Sequence, residues 1–205
     1  MIDERASTRL IDQLAQQGFA VVDDFVDPVF VADLRARCRT LEDSGSFRPA
    51  RVGRGVAEQR REDLRGDFIS WLGAPEDDVE QRLVDRFEAL RAALNRALMA
   101  GLADFEGHFA RYPAGAAYSR HIDRLAGSDV RAISTALYLN EAWQPEDGGA
   151  LRMYLGGGRS EDVVPVGGRL VAFLSDRFEH EVLPAARERL SFTGWFRRRS
   201  LEGPV

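Results

Sequence analysis

Three side chains that can bind a metal ion stand out in the sequence: the His121-x-Asp123 pair and the distant His180. Side chains alternate along a strand with a period of two, so an extended segment places His121 and Asp123 on the same side. Two imidazoles and one carboxylate form the facial triad that binds non-haem Fe(II) and leaves other coordination positions open. Histidine and aspartate also bind zinc, so the ligand types alone leave both metals open.

Arg189 follows the second histidine and begins a segment in which polar and apolar side chains alternate. If the polar face points inward, Arg189 lies deep in the fold beside the hydroxyl of Thr193. A guanidinium pairs bidentately with a carboxylate, so Arg189 is the predicted anchor for the far carboxylate of 2-oxoglutarate. Arg187 has the same parity, but it lies in the predicted turn at 184–188, where a surface charge is the usual finding.

The region 104–198 contains short strand-like segments separated by turns. We predict eight strands, at 104–112, 117–121, 131–139, 150–155, 161–165, 169–174, 179–184 and 189–198. Strands at this spacing favour a double-stranded β-helix, a jelly roll of the cupin type. Helical patterns precede the strands and do not alternate with them, which argues against a parallel α/β sheet. The predicted fold class is therefore α+β, mainly β.

Residues 1–103 carry helical patterns that we expect to pack as one unit with this core. Helices are predicted at 3–17, 29–41 and about 75–99, and supporting strands at 19–26 and 64–72. The longest helix keeps its apolar residues on one face, which predicts packing against an outer face of the jelly roll. Residues 199–205 are expected to form a solvated tail.

Residues 44–64 contain several glycines and arginines and few apolar side chains. A segment of this length and polarity is typical of a mobile loop and not of a core element. It is too long and too polar to be a mere connection, so we expect it to have a function of its own.

The composition argues against several classes of function. A formal net charge of −5 gives no general attraction to nucleic acid. The sequence has neither a secretory signal nor an apolar run as long as a membrane span, so no membrane partner is expected. A single cysteine, Cys38, rules out an internal disulfide and predicts a cytoplasmic location.

Three further residues allow two interpretations each. Tyr112 precedes a turn that leads to the His-x-Asp pair, and Tyr138 lies in a predicted strand. Each tyrosine could present its phenol to the interior of the core or be an ordinary core residue with a hydrogen-bond partner. His108 is interpreted as a core or surface histidine.

The candidate ligands belong to a longer series of motifs, which in chain order are Tyr112-Pro113, Tyr118-x-Arg-His121-x-Asp123, Tyr138-Leu-Asn140, Asp147-Gly-Gly-Ala-Leu-Arg152, Leu174-Ser-Asp176, His180-Glu-Val and Arg189…Trp195. Together they resemble the Fe(II)/2-oxoglutarate-dependent prolyl 4-hydroxylases. The likeness is to the branch that contains the oxygen-sensing hydroxylases of the hypoxia-inducible factor and their bacterial relatives, one of which acts on elongation factor Tu. It runs from about residue 15 to 198 and includes the upstream segment Arg65-Gly-Asp-Phe-Ile-Ser-Trp71.

The resemblance implies a metal site and a co-substrate site. The metal would be Fe(II), with O₂ as the second co-substrate, and its ligands would be His121, Asp123 and His180. The residues implied to bind 2-oxoglutarate are Arg189 and Tyr138 at the distal carboxylate, Thr193 nearby, and Tyr112 beside the iron-chelating end.

The resemblance also implies a peptide-binding mouth. Arg131 and Trp195 fall where the family contacts its peptide, and Arg65 is a further candidate for substrate binding. Residues of about 47–64 correspond to the family's mobile finger, which folds over bound substrate. Two departures lie at this mouth: the turn between Tyr112 and Tyr118 is one residue shorter than in the animal enzymes, and 124–125 is Arg-Leu where the family has Asn-Pro. Both bear on the substrate and not on the metal.

The implied reaction is hydroxylation of C4 of a prolyl residue in a protein, with elongation factor Tu as the candidate substrate. Succinate and CO₂ would be released, and ascorbate is expected only as a reductant that restores oxidised iron. An alternative is the same chemistry on a free amino acid or another small metabolite. A second alternative, a non-catalytic jelly-roll binding module, predicts the loss of a metal ligand or of the arginine anchor, and this sequence retains all of them.

Overall fold

The computed structural model describes residues 4–51, 61, 64–123 and 130–199. Residues 52–60 and 62–63 of the predicted finger, the departure at 124–125, and the predicted tail from residue 200 onward lie outside the described residues. The helices are α1 Glu4–Gln17, α2 Pro28–Asp43 and α3 Asp78–Leu98. Among the described residues, none of the helices combines the length and the apolar character that crossing a bilayer requires.

Side-chain caps determine where the second and third helices begin. Asp27 accepts a hydrogen bond from the Phe30 backbone N–H at 2.8 Å, and Pro28 occupies the first turn, where no backbone N–H is needed. The sequence predicts that the third helix begins near residue 75. In the structure Asp77 accepts a hydrogen bond from the Glu80 backbone N–H at 2.8 Å, so the helix begins at Asp78. The apolar pattern shows that a helix is present, but the cap decides its first residue.

The strands are β1 Phe19–Val22, β2 Arg48–Pro49, β3 Phe68–Trp71, β4 Leu102–Tyr112, β5 Tyr118–His121, β6 Arg131–Tyr138, β7 Leu151–Gly156, β8 Arg159–Val163, β9 Leu170–Leu174, β10 His180–Val182 and β11 Arg189–Arg198. All eight strands predicted for the core are present. The predicted strand at 19–26 stops at Val22, because the chain turns at Asp24, whose φ is 56°. The predicted strand at 64–72 is shortened to β3, and Arg65 makes only an isolated bridge to Tyr118.

The strands form two antiparallel sheets. The larger sheet has the order β1-β9-β6-β11-β4-β3-β2, and the smaller one has the order β5-β10-β7-β8. Neighbours in space are distant in sequence, since β11 lies between β4 and β6 and β10 lies between β5 and β7. These two antiparallel sheets, with the helices preceding the eight core strands, confirm the predicted α+β fold with a jelly-roll core.

The helices cover one outer face of the larger sheet. Phe87 of α3 stacks on Phe105 with ring centroids 4.3 Å apart and also contacts Phe192 and Phe196 of β11. Leu190 belongs to the same buried cluster. Because side chains alternate along β11, Arg189, Thr193 and Trp195 point to the opposite side, between the two sheets. Because the apolar side chains of β11 pack under the helices, its polar side chains point into the space between the two sheets.

Candidate active site

His121 and His180 face each other on paired strands, since His180 of β10 is in register with His121 of β5. Asp123 lies two residues beyond His121. The Nε2 atom of His121 is 3.6 Å from Asp123 Oδ1, and the Nε2 atom of His180 is 3.7 Å from Asp123 Oδ2. One donor atom from each residue lies within 4.8 Å of the other two. The structure therefore brings the three predicted ligands together, at a spacing that suits one ion.

The backbone orients both imidazoles. Nδ1 of His121 is 2.7 Å from the Ser119 carbonyl oxygen, and Nδ1 of His180 is 3.1 Å from the Phe178 carbonyl oxygen. A carbonyl only accepts, so each Nδ1 carries the hydrogen and each Nε2 presents its lone pair toward the other ligands. Burial lowers the pKa of His180 and so favours the neutral form that a metal needs. Hydrogen bonds of this kind set the tautomer and ring orientation of metal-binding histidines.

Trp195 holds the carboxylate of the triad. Its indole Nε1–H donates to Asp123 Oδ2 at 3.0 Å. An N–H donor favours the ionised form of a carboxyl group, so Trp195 stabilises Asp123 as the carboxylate that a metal needs. The resemblance implies that Trp195 contacts the peptide substrate. In the structure, Trp195 also contacts Asp123, a candidate metal ligand.

A stack of side chains supports His121 from behind. The Tyr118 ring is parallel to the imidazole with centroids 3.7 Å apart, and the Arg65 guanidinium lies 4.6 Å above Tyr118. Arg65 in turn donates to both oxygens of Asp67, at 2.7 and 3.0 Å. Asp67 is 2% exposed and was not singled out in the sequence. Asp67 follows Arg65 by two residues on an extended segment, and this spacing could have indicated that the two side chains lie on the same side.

Arg189 lies at the closed end of the space between the sheets and is 2% exposed. Its Nε–H donates to the Gly149 carbonyl at 3.0 Å, and its guanidinium lies 5.0 Å from the rings of both Tyr112 and Tyr138. Among the described residues, no carboxylate lies within ion-pair distance of Arg189. A buried charge without a partner is costly, so this site suits an anionic guest.

Tyr138 offers a second unsatisfied group at the same place. The residue is 0% exposed, and its phenol oxygen is enclosed without a hydrogen-bond partner among the described residues. Burial raises the pKa of Tyr138, which keeps the phenol protonated as a donor. Thr193 lies along the same wall, where its hydroxyl is 3.4 Å from that of Ser191. An orphaned phenol beside an unpaired guanidinium fits a bound carboxylate.

One cavity of about 320 Å³ joins the triad to Arg189. Its apolar walls come from both sheets and include Ile69, Ala136, Leu151, Phe173 and Val182. A small dicarboxylate can therefore reach the guanidinium at one end and the three ligands at the other without leaving the enclosed space. The arrangement separates an anion site from a metal site within one apolar chamber.

The mouth of the cavity is lined by aromatic and charged side chains. Trp71 is 52% exposed, and its ring lies 6.2 Å from that of Trp195. Arg131 lies 3.6 Å above the Trp195 ring and pairs with Glu106 at 2.9 Å. The structure thus places Arg131 and Trp195 side by side at the mouth.

The structure decides two questions that the sequence left open: whether Arg187 or Arg189 faces the chamber, and whether His108 is a core or a surface histidine. Arg187 is at the surface, 3.0 Å from Asp147, so it is Arg189 that faces the chamber. His108 is 1% exposed, lines the cavity, and contacts the ring of Trp71 at 4.8 Å. Counting by two along β4 from Tyr112 would have placed His108 on this inner face.

Comparison with known proteins identifies this arrangement. Residues 107–197 match the model of the 2OG-Fe(II) oxygenase superfamily. Prolyl hydroxylase EGLN3 of Mus musculus is 30% identical over 204 residues, which covers 95% of this chain and 84% of that protein. The chain belongs to the prolyl hydroxylase family. Fe(II), 2-oxoglutarate and O₂ are accordingly its cofactor and co-substrates, and the family settles the metal in favour of iron over zinc.

Solved structures agree with this membership. A Pseudomonas putida prolyl-4-hydroxylase is 45% identical, with a TM-score of 0.87 and coverage of 95% of this chain and all of that one. A prolyl hydroxylase from Trichoplax adhaerens, solved with a peptide fragment of the hypoxia-inducible factor oxygen degradation domain, is 30% identical with a TM-score of 0.85. It covers 95% of this chain, which in turn covers 90% of that structure. This prolyl hydroxylase therefore shares the whole architecture, helices included, with both relatives.

Proposed function

We propose that this prolyl hydroxylase acts on C4 of a prolyl residue in a protein substrate, and that elongation factor Tu is that substrate. The observation that carries the proposal is the single chamber that links the triad to the unpaired, buried Arg189 and opens between Trp71 and Arg131. A dicarboxylate can enter the closed end, and the aromatic mouth remains for a larger guest. Residues 104–198 would form the catalytic core, and residues 1–103 would support it.

Each part of the chamber has a separate task in the proposed mechanism. His121, Asp123 and His180 would hold Fe(II), which with 2-oxoglutarate and O₂ supplies the oxidising chemistry, with succinate and CO₂ as co-products. Arg189 and Tyr138 would orient the distal carboxylate by charge-assisted hydrogen bonds. The apolar walls would exclude water from the reacting atoms, and the backbone carbonyls at Ser119 and Phe178 would keep both imidazoles in the productive tautomer.

The remaining sequence-predicted residues would complete the two binding sites. Tyr112 would lie beside the iron-chelating end of 2-oxoglutarate, and Thr193 would lie near its distal carboxylate. Arg131 and Trp195 would contact the protein substrate, and Arg65, which lies over Tyr118 in the chamber lining, would be a further substrate contact.

Several observations support a bacterial protein substrate in the cytoplasm. The sequence resembles the bacterial enzymes that include one acting on elongation factor Tu, and the Pseudomonas putida relative is bacterial. The Trichoplax adhaerens relative binds a peptide at this fold. A lone, buried Cys38 suits a reducing compartment, where ascorbate or another reductant would restore oxidised iron.

The test is to incubate the enzyme with Fe(II), 2-oxoglutarate and elongation factor Tu under air. We expect one prolyl residue to gain one oxygen atom in an equal amount to the succinate formed. The His121→Ala and His180→Ala variants should give neither product, and Arg187→Ala, a surface arginine of similar sequence position, should keep full activity. Succinate formed with free amino acids, and no mass gain on any host protein, would show that the substrate is a metabolite.

A further inference from the structure

His108 is a buried polar residue in the chamber to which neither the triad nor the 2-oxoglutarate site assigns a task. It is in register with Thr193 of β11 on one side and with Trp71 of β3 on the other. Its ring contacts those of Trp71 and Trp195, with centroid distances of 4.8 and 5.6 Å, and the two indoles lie 6.2 Å from each other. The imidazole therefore packs in one aromatic cluster with the exposed Trp71 and with the indole that donates to Asp123.

The hydrogen-bonding state of this ring can be worked out from its surroundings. His108 makes no hydrogen bond with the described residues, and its Nδ1 is enclosed without a partner. An enclosed N–H that lacks an acceptor is rarer in proteins than an acceptor that lacks a donor. The favoured tautomer therefore has the lone pair on Nδ1 and the hydrogen on Nε2, the ring nitrogen that is not enclosed.

The charge state agrees with this tautomer. Burial, with the positive charges of Arg65 and Arg131, lowers the pKa of His108 to about 3. At neutral pH the ring is thus an uncharged single donor on the chamber wall.

Three neighbouring donors in the same part of the chamber are already used by protein acceptors. The Trp195 N–H donates to Asp123 at 3.0 Å, and Arg131 Nε–H donates to Glu106 at 2.9 Å. The Thr135 hydroxyl donates to the Gly194 carbonyl at 3.1 Å. These groups hold the wall together, and His108 is the buried donor beside them that is turned to a guest.

We infer that the Nε2–H of His108 donates a hydrogen bond to a backbone carbonyl next to the target proline. This inference rests on the proposed function. A prolyl residue has no backbone N–H, so its backbone offers only acceptors and its site must supply donors. Trp71 and Trp195, whose rings both contact His108, would contact the apolar ring of the proline. His108 would hold the neighbouring backbone carbonyl in place.

The first experiment compares the wild type with His108→Phe and His108→Gln. Phenylalanine keeps the ring contacts to both tryptophans but removes the donor, and glutamine keeps an N–H donor. The probe is a synthetic peptide of elongation factor Tu that contains the modified proline. We expect His108→Phe to lower kcat/KM by roughly ten- to hundred-fold, the usual range for an unpaired acceptor in a buried site, and His108→Gln to recover part of the loss.

Two measurements separate this role from a structural one. Succinate formation without peptide and the affinity for 2-oxoglutarate should be the same in the wild type and in His108→Phe. Binding of the peptide to the enzyme loaded with Mn²⁺ and 2-oxoglutarate, which involves no turnover, should weaken by the same factor as kcat/KM.

A test on the wild type avoids any folding defect of the variants. Replacing one carbonyl oxygen of the peptide by sulphur weakens it as an acceptor. We expect one of the two thioamides that flank the proline to bind more weakly to the wild type and equally well to His108→Phe. Equal kcat/KM for the wild type and His108→Phe on a peptide that the wild type hydroxylates would overturn the inference alone. If no host prolyl residue is hydroxylated, the proposed function fails and the inference fails with it.

Discussion

Two arginines that line the same chamber should respond oppositely to the same substitution. Arg65 donates from its Nε and Nη2 atoms to the two carboxylate oxygens of Asp67, whose side chain is 0% exposed. Arg189 has no carboxylate partner among the described residues. We compare Arg65→Met with Arg189→Met, because methionine keeps most of the length and apolar volume of arginine. The Arg65 side chain is 14% exposed and Arg189 is 2% exposed, and the two differ in whether the protein itself supplies the counter-charge.

The magnitudes follow from what each change leaves behind. Arg65→Met strands a buried carboxylate, which costs about 3–5 kcal/mol when one partner of a buried pair is removed. A domain of this size loses about 2–4 °C in Tm per kcal/mol, so Tm should fall by roughly 6–20 °C. Arg189→Met loses one hydrogen bond to Gly149, worth about 1.5–3 kcal/mol for a charged donor. It also removes an unpaired buried charge whose penalty is several kcal/mol, so the apo-protein should lose little or nothing.

Binding of 2-oxoglutarate should show the reverse order. Two charge-assisted hydrogen bonds to one carboxylate are worth roughly 3–6 kcal/mol, which corresponds to a hundred- to ten-thousand-fold loss of affinity in Arg189→Met. Arg65→Met should keep its affinity once it is folded, since Arg65 lies on the Tyr118 side of the chamber.

Thermal unfolding without and with 2-oxoglutarate, in the presence of Mn²⁺ and absence of O₂, measures both quantities on the same samples. The wild type and Arg65→Met should gain stability as ligand is added, and Arg189→Met should not. A large fall in the apo Tm of Arg189→Met together with an unchanged response to 2-oxoglutarate would refute the assignment of the buried guanidinium.

Three further outcomes are expected. Tyr138→Phe should leave the apo-protein as stable as the wild type or up to about 1 kcal/mol more stable, because it removes an orphaned phenol, and should weaken 2-oxoglutarate roughly tenfold in calorimetric titrations. Trp195→Phe should weaken metal binding about 10–100-fold in competition with a chelator, because Asp123 Oδ2 loses its donor. Burial lowers the pKa of His108 to about 3, so below about pH 6.5 the unfolded chain binds a proton that the folded chain excludes, and stability falls as pH drops. From pH 6.5 to 5 this amounts to about 2 kcal/mol, which urea unfolding should show as a steeper loss in the wild type than in His108→Phe.

The Tyr138→Phe outcome has a control variant, and each of the other two has a result that would contradict it. Tyr154→Phe removes a phenol on the outer face of the smaller sheet that bonds Glu181 at 2.6 Å, and should leave 2-oxoglutarate binding unchanged. Unaltered metal affinity in Trp195→Phe would mean that the indole contact does not position Asp123. Parallel stability curves for the wild type and His108→Phe between pH 6.5 and 5 would show that the buried imidazole takes up its proton in the folded state as readily as in the unfolded chain.

The strand and helix pattern of this chain was largely readable from sequence. Short strand-like segments between turns marked all eight core strands, and apolar spacing marked the three helices, because both patterns are local properties of the chain. The ends were less certain. The start of α3 depends on the Asp77 cap, and the end of β1 depends on the positive φ of Asp24, and neither changes the hydrophobic pattern.

The candidate metal ligands and the candidate arginine anchor could be selected from the sequence because their chemistry restricts the residue types. Few side chains bind Fe(II), and only one is planar, permanently charged and suited to a bidentate carboxylate. The choice of Arg189 over Arg187 needed only the position of a turn, since the two residues have the same parity.

Other features depended on contacts between segments far apart in the chain. No local pattern indicates that Trp195 would donate to Asp123, that Arg65 would lie over the Tyr118 ring, or that His108 would lack a hydrogen-bond partner among the described residues. Strand order decided these contacts, since β11 lies between β4 and β6 and β10 lies between β5 and β7. The sequence by itself determined which side chains can do the chemistry and on which face of a strand each one lies. Only the tertiary structure decided which of them meet, because pairing between distant strands sets the distances and burial that give each group its partner or leave it without one.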